Sequence, residues 1–277
     1  MNSLNVVATW PVTTVAAGWR GPDDGPTSIG PVDQVFPLAS VTKPLVAFAV
    51  LVAVEEGSLA LDQPAGPPGS TVANLLSHSA GLGPDAPPAG AEPGPLTPVG
   101  SRRIYSNHGF EELGRALEAT TGFTCAQYLD EAVCAPLGMT GTELRGSPAH
   151  GAVSTVSDLL RFGAELLRPT LLSAETVAAA TTPHLPELAG VLPGFGRQDP
   201  NPWGLGFEIR GTKSPHWTGS TNDPATFGHF GRSGTFLWVD RSIPACCVVL
   251  TDRDFGPWAA EAWPPLADAV VADARSA

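Results

Sequence analysis

At 277 residues, with 43% hydrophobic and 15% charged residues, the chain has material for one large domain or two intimate ones around a buried core. Its formal net charge is −12 and no segment carries a run of lysine and arginine, so a phosphate-backbone footprint is missing and nucleic acid is not an expected partner. The longest uninterrupted apolar run, Leu45 to Val54, is far short of the roughly 20 residues that span a bilayer, so no membrane segment is expected.

Residues 1–11 lack a basic leading region, and Thr9, Trp10 and Pro11 break their apolar stretch, so the start reads as mature protein. Residues 4–19 read as two short strands around the break at Trp10-Pro11, the second running from Thr13 to Trp19. The segment 21–26 reads as a turn, and a short strand near Val35 leads into Phe36-Pro37-Leu38-Ala39-Ser40-Val41-Thr42-Lys43-Pro44. From about Thr42 to Glu56 the sequence is apolar almost all round, which in a soluble protein marks a helix buried on most faces. Pro44 falls in its first turn, where no intrahelical N–H is lost. One helical turn sets Ser40 beside Lys43. An unprotonated lysine there can take the serine proton, and the positive end of the helix favours negative charge at Ser40. The same S-x-x-K spacing also fits an N-cap serine followed by a solvated lysine.

Residues 61–69 form a loop, and Ser70 to Leu82 read as a short capped helix closed by Gly81. His78 at its end reads as a hydrogen-bonded structural histidine, since no acid stands near it in sequence to orient it. Gly83 to Gly100 is almost wholly proline, glycine, alanine and acid, the composition of a lid or binding loop. Arg102 to Gly109 then opens a helix from Phe110 to Thr121, and a second runs from Thr124 to about Cys134. Ser157 is the expected cap of a helix over 158–167, and Ser173 of one over 174–180. Strands are expected at 203–210, 227–231, 234–240 and 245–251, with a polar loop at 211–226 and a terminal helix over 263–274. Strands at both ends around a helical middle imply an α+β chain with one sheet built from both termini.

The four cysteines, Cys125, Cys134, Cys246 and Cys247, lack metal-ligand spacing. On a strand Cys246 and Cys247 point to opposite faces. Four buried thiols suit a reducing cytoplasm. The sequence has no Gly-x-Ser-x-Gly elbow, which speaks against an α/β-hydrolase. The glycines at 228, 231 and 234 lack the dinucleotide spacing. Neither a metal nor a cofactor is expected.

Ser40-Val41-Thr42-Lys43, Tyr105-Ser106-Asn107 and His229-Phe230-Gly231 occur in an order and at separations that resemble the three signatures of class C β-lactamase-like serine hydrolases. That family includes penicillin-binding D-peptidases and β-lactamase-fold esterases. With Leu75 to Leu82, Pro136 to Met139 and Trp203 to Gly206, the resemblance covers essentially the whole chain. It implies an antiparallel sheet flanked by helices, formed by residues 1–60 and 195–277, with a mainly helical subdomain, 61–194, inserted and the active site at their junction. It implies Ser40 as the acylated nucleophile, with Lys43 and Tyr105 sharing its activation and Asn107 positioning Lys43 and the substrate. Gly231 would let the substrate backbone lie close, and the backbone N–H groups of Ser40 and Arg232 would form the oxyanion hole. Read singly, Tyr105 could simply pack with its hydroxyl satisfied, Asn107 could cap the following helix, and His229 could be a buried strand histidine.

Two departures matter. Relatives begin with an amphipathic helix for which this chain has few residues, leaving one sheet face to the C-terminal helix or a partner. His229 stands where penicillin-recognising relatives carry a lysine, and a neutral histidine suits a carboxylate poorly. Arg232 is the candidate replacement cation. The expected function is therefore hydrolysis of a carboxylic ester, or a small amide, through an acyl-enzyme on Ser40. The alternatives are a β-lactamase or a D-amino-acid peptidase or transesterase of the same fold, and a catalytically silent protein that binds a ligand or partner. The expected partner is a small-molecule ester, amide or lactam. Oligomeric state is left open, and specificity is assigned to the loops at 83–100, 193–202 and 211–226.

Overall fold

The computed structural model describes residues 3–21, 25–87 and 94–276, and its largest sheet has six antiparallel strands drawn from both ends of the chain. The strands in chain order are β1 (Val15–Arg20), β2 (Thr27–Ile29), β3 (Phe36–Pro37), β4 (Glu143–Leu144), β5 (Ala152–Ser154), β6 (Gly190–Leu192), β7 (Gly196–Gln198), β8 (Glu208–Ile209), β9 (Phe227–Gly231), β10 (Thr235–Asp240) and β11 (Ala245–Thr251). The helices are α1 (Thr42–Glu55), α2 (Val72–Leu76), α3 (Asn107–Thr121), α4 (Cys125–Leu129), α5 (Ala135–Leu137), α6 (Val156–Leu167), α7 (Ala174–Ala180) and α8 (Pro257–Ala274). The main sheet runs β2-β1-β11-β10-β9-β8, while β3-β5-β4 and β6-β7 form two small sheets.

Both faces of the main sheet are covered, so its central strands read as continuous apolar runs rather than alternating ones. Ala16, Leu237, Val239, Cys246, Val248 and Leu250 point into the core shared with α1 and α6. Their neighbours Ala17, Trp238, Cys247 and Val249 point the other way, against α8 and the N-terminal segment. The adjacent cysteines thus enter opposite cores, as a period of two requires. All four cysteines are free and buried. The twelve residues from Thr42 to Ala53 are all buried, which is why α1 carries no polar face.

Several elements differ from the sequence expectation, each for a local reason. Residues 3–9 form a 3-10 helix, not a strand. Leu4 and Val7, three apart, both face α8, the spacing of three residues per turn. Ser3 N–H donates to Asp273 at 2.9 Å, and this segment with α8 covers the second sheet face. Of 203–210 only Glu208–Ile209 is strand. Gly206 turns there at φ +92, and a Cβ on it would meet Ala47 Cβ of α1 at 2.0 Å. Thr155, not Ser157, caps α6, accepting Asp158 N–H, while Ser157 bonds Asp33. Over 125–137 the helix is broken by a π turn at 130–134, and α8 begins at Pro257, ahead of 263. The hairpin β6–β7 and the strands β4 and β5 lie where helices and loops were expected, while β3 falls at the short strand expected near Val35. Residues 22–24 of the turn expected at 21–26, and 88–93 of the long loop, lie outside the described residues. No described helix is long and apolar enough to cross a membrane.

Candidate active site

Ser40 lies in a 3-10 turn, Ala39–Val41, that runs straight into α1. Ala39 has φ +45, a left-handed conformation that costs a non-glycine residue about 1 kcal/mol or more. The surrounding hydrogen bonds hold it there. Leu38 N–H donates to Ala152 O at 2.9 Å, Thr235 Oγ1 donates to Leu38 O at 2.9 Å, and Ser233 Oγ donates to Pro37 O at 2.7 Å. Gly231 closes the contact: a Cβ there would meet Leu38 O at 2.2 Å and Thr235 Oγ1 at 2.5 Å. The absence of a side chain at 231 therefore serves the packing of β9 against the serine turn.

Lys43 has no solvent exposure. Its Nζ lies 2.7 Å from Asn107 Oδ1, 2.9 Å from Ala149 O and 3.4 Å from Ser40 Oγ. Burial pushes its pKa well below the ordinary lysine value, against the opposing fields of Asp85 and Glu111. A neutral amine has two hydrogens and one lone pair. In that neutral form the hydrogens serve Asn107 and Ala149 and the lone pair is left for Ser40, whereas an ammonium would donate its third hydrogen to Ser40 Oγ. Asn107 is not the cap of α3. Ser106 is, accepting Gly109 N–H at 2.9 Å, and Asn107 Nδ2 donates to Asp85 at 3.0 Å.

Tyr105 reaches the serine from the other side, its hydroxyl 2.6 Å from Ser40 Oγ. Burial raises its pKa beyond the ordinary phenol value, outweighing the opposite pull of the bond to Ser40. The phenol is therefore protonated and donates. Lys43 Nζ also sits 4.6 Å from the centre of the Tyr105 ring. The segment carrying Tyr105 is anchored by the buried Arg103, whose guanidinium donates to the carbonyls of Ser77, His184, Leu185 and Asn201. His78 packs on the Tyr105 ring at 4.8 Å and on Trp203 at 4.6 Å.

His229 is buried on β9, its ring 5.8 Å from that of Tyr105 and 5.4 Å from Trp203. Its Nδ1 faces Phe230 O at 2.6 Å, so Nδ1 carries the proton. Burial, then repulsion from Lys43, lowers its pKa to about 3, leaving the ring neutral. Arg232, the candidate replacement cation, lines the same cavity, with its side chain 89% exposed and 4.0 Å from Asp254. The cavity above Ser40, about 360 Å³, is walled by Leu192, Pro193, Trp203, Phe230 and Phe255.

Beneath the cavity, Glu208 accepts from Lys213 Nζ, from His216 Nε2 at 3.0 Å and from Trp217 Nε1 at 2.9 Å. Thr218 N–H donates to His216 Nδ1 at 3.1 Å, which places the histidine proton on Nε2. Burial alone would raise the Glu208 pKa, but Lys213 and His216 outweigh it and hold the carboxylate charged. Among the described residues no cluster of three potential metal ligands exists.

The structure thus brings Ser40, Lys43, Tyr105, Asn107 and His229 together, with Gly231 packed against the serine turn and Arg232 lining the cavity with an exposed side chain. Sequence reasoning missed the Ala149 carbonyl, Asp85 and the Glu208 cluster. A backbone carbonyl leaves no mark in sequence, whereas Trp203 had one, the Trp-Gly-Leu-Gly stretch.

A strained serine turn at a helix start, backed by a buried lysine and a phenol beside an antiparallel sheet, defines a serine hydrolase of the β-lactamase fold. The β-lactamase family pattern matches residues 8–272, and the chain belongs to that family. A solved structure of a β-lactamase from Mycobacterium bovis is 52% identical, covers 99% of both chains and superposes with a TM-score of 0.94. D-alanyl-D-alanine-carboxypeptidase/endopeptidase AmpH of Escherichia coli is 28% identical over 149 residues, 42% of this chain and 38% of AmpH. Esterase EstB of Burkholderia gladioli is 45% identical over 65 residues, 18% of this chain and 17% of EstB. The matches thus span well under two thirds of these curated relatives.

Proposed function

We propose that the protein hydrolyses uncharged carboxylic esters, and small amides more slowly, through an acyl-enzyme on Ser40. One observation carries the reading: Ser40 Oγ lies between a buried amine and a protonated phenol, at the floor of an apolar cavity whose strand histidine is neutral. Lys43 is the base. As Ser40 Oγ bonds to the carbonyl carbon, its proton passes to Lys43, and the carbonyl oxygen becomes an oxyanion held by the N–H groups of Ser40 and Arg232. Collapse breaks the bond to the leaving alkoxide, which receives the Lys43 proton by way of the Tyr105 hydroxyl. Water then repeats the sequence on the acyl-serine, losing its proton to the same pair and releasing the carboxylic acid. Asn107 holds Lys43 with its lone pair toward the serine.

The preference for uncharged esters follows from charge. A substrate carboxylate deep in the cavity would meet the neutral His229 and the buried Glu208, while the cation of the lining, Arg232, is 89% exposed and near Asp254, and an unpaired buried charge costs several kcal/mol. The esterase relative supports this reading. A second reading, β-lactam hydrolysis, has its own support in the 52% identical Mycobacterium bovis protein. We further place the protein in a reducing compartment, which its four free thiols support.

The test compares p-nitrophenyl butyrate with nitrocefin, a β-lactam that carries a carboxylate. The ester is expected to be turned over at least about 10²-fold more efficiently, the equivalent of about 3 kcal/mol. Comparable or better nitrocefin turnover would give the second reading the preference. Ser40→Ala is expected to lose at least ~10³-fold in kcat together with labelling by a fluorophosphonate, and labelling that survives would remove Ser40 from its role.

A further inference from the structure

We propose that His78 is a positioning residue for Tyr105, acting through its Nδ1 acceptor. The proposal rests on the reading of Ser40 and Tyr105 given above. Ile104 N–H donates to the His78 carbonyl at 3.0 Å, and Ser106 N–H donates to His78 Nδ1 at 3.2 Å. One residue therefore holds the amides on both sides of Tyr105, and its ring lies against the phenol ring at 4.8 Å. Because Nδ1 accepts a backbone N–H, the ring proton is on Nε2. Protonation of the imidazole would turn Nδ1 into a donor and break the contact with Ser106. Burial, followed by the fields of Lys43, His229 and Arg103, keeps the ring neutral.

The backbone of His78 is strained to achieve this. Its φ is +56, a region a non-glycine residue occupies at a cost and only where its surroundings over-determine it. The end of α2 supplies that constraint: His78 N–H donates to Leu75 O at 3.2 Å and Ser79 N–H to Asn74 O at 2.8 Å. Glycine would relieve the backbone and still offer the carbonyl to Ile104. It would lack the ring, and with it the acceptor for Ser106 N–H. Arg103 fixes the chain before Tyr105, and Ser106 Oγ fixes the start of α3 after it. The Tyr105 ring is also touched by Trp203 and His229, each at 5.8 Å, and by Lys43 at 4.6 Å; what His78 supplies by itself is the hold on the two amides that flank it. A hydroxyl displaced from Ser40 Oγ by about 1 Å costs about 10²-fold in rate.

The test uses His78→Gly, His78→Leu and His78→Asn in the full chain. Wild type is first labelled with a fluorophosphonate and the adduct mapped. If the adduct is not on Ser40, the reading of the site fails and the proposal falls with it, before any His78 variant is made. With Ser40 labelled, kcat and KM for p-nitrophenyl butyrate are measured alongside the melting temperature. Glycine and leucine are expected to lower kcat about 10- to 100-fold with KM within about 3-fold. Glycine, which suits the backbone, should do so in a protein that still folds. Asparagine tolerates the left-handed conformation, and its amide oxygen can accept Ser106 N–H, so kcat should return to within about 3-fold of wild type. A glycine variant with wild-type kcat, or an asparagine variant as slow as the glycine one, would overturn the proposal, because a merely structural histidine would move the melting temperature and not the kcat of the folded enzyme.

Discussion

Replacing Lys43 by methionine and, separately, by arginine tests whether the lysine is a base or only a charge. Methionine fills nearly the same volume in a site with no solvent exposure, so the fold should survive. It leaves Asn107 Oδ1 and Ala149 O without the donors that now reach them at 2.7 and 2.9 Å. An orphaned buried acceptor costs about 1–3 kcal/mol, but the variant also removes a desolvated amine, which works the other way. The net loss should be at most about 2 kcal/mol, or a fall of up to about 8 °C in melting temperature for a chain of this size. The chemical loss is larger. Removal of a positioned base costs about 10²–10⁴-fold, so kcat on p-nitrophenyl butyrate should drop about 10³-fold in a protein that is still folded at 25 °C. Arginine keeps a cation and donors but cannot give up its proton, so it cannot accept one from Ser40. It should be as slow as methionine. If either variant kept kcat within 10-fold of wild type while melting as predicted, Lys43 would not be the base, and activation would have to be sought at Tyr105.

Two further outcomes concern pH and stability. Since burial depresses the Lys43 pKa below 10.5 in the folded state, the unfolded chain binds more protons between the two values, and stability must rise with pH across that window. Denaturation curves should show this gain in wild type and lose it in Lys43→Met. Activity should fall as pH drops through the folded-state value. The limb should persist in His229→Gln, because His229, with its pKa lowered to about 3, does not titrate there; a limb that vanishes in that variant would reassign the base. Glu208→Ala leaves the Lys213 ammonium without its counter-ion, held only by the carbonyls of Pro202 and Ile209, and leaves His216 Nε2 and the Trp217 indole without an acceptor, in a site where the Lys213 and His216 side chains are 0% and 2% exposed. That should cost about 3–5 kcal/mol, read from urea denaturation, and a loss below about 1 kcal/mol would mean the cluster is hydrated or neutral.

The sequence by itself determined the elements whose signal is local. The all-round apolar run after Thr42 demanded a buried helix, and α1 is buried throughout its first twelve residues. The strands at 227–231 and 245–251 were legible to the residue, because glycines, turn residues and β-branched runs punctuate them. The S-x-x-K spacing alone places Ser40 and Lys43 on one turn, which the 3.4 Å separation reflects. Tyr105, Asn107 and His229 were legible as candidates only through their order along the chain. Their distances are properties of packing: Lys43 meets a side chain 64 residues away and a carbonyl 106 residues away.

Tertiary structure decided what local pattern cannot encode. The start of the chain has strand-like composition, yet Leu4 and Val7 are drawn into a 3-10 turn because α8 offers them one apolar face. Arg232 lines the cavity, yet its side chain is 89% exposed, because the turn after β9 places it at the surface. Gly231 is a glycine because Leu38 O lies where its Cβ would be, a contact between segments nearly two hundred residues apart. The charge state of the site was decided the same way. Whether Lys43 is an ammonium or an amine, and His229 a cation or a neutral ring, depends on how completely the fold excludes water from them, and residue identity is silent on that.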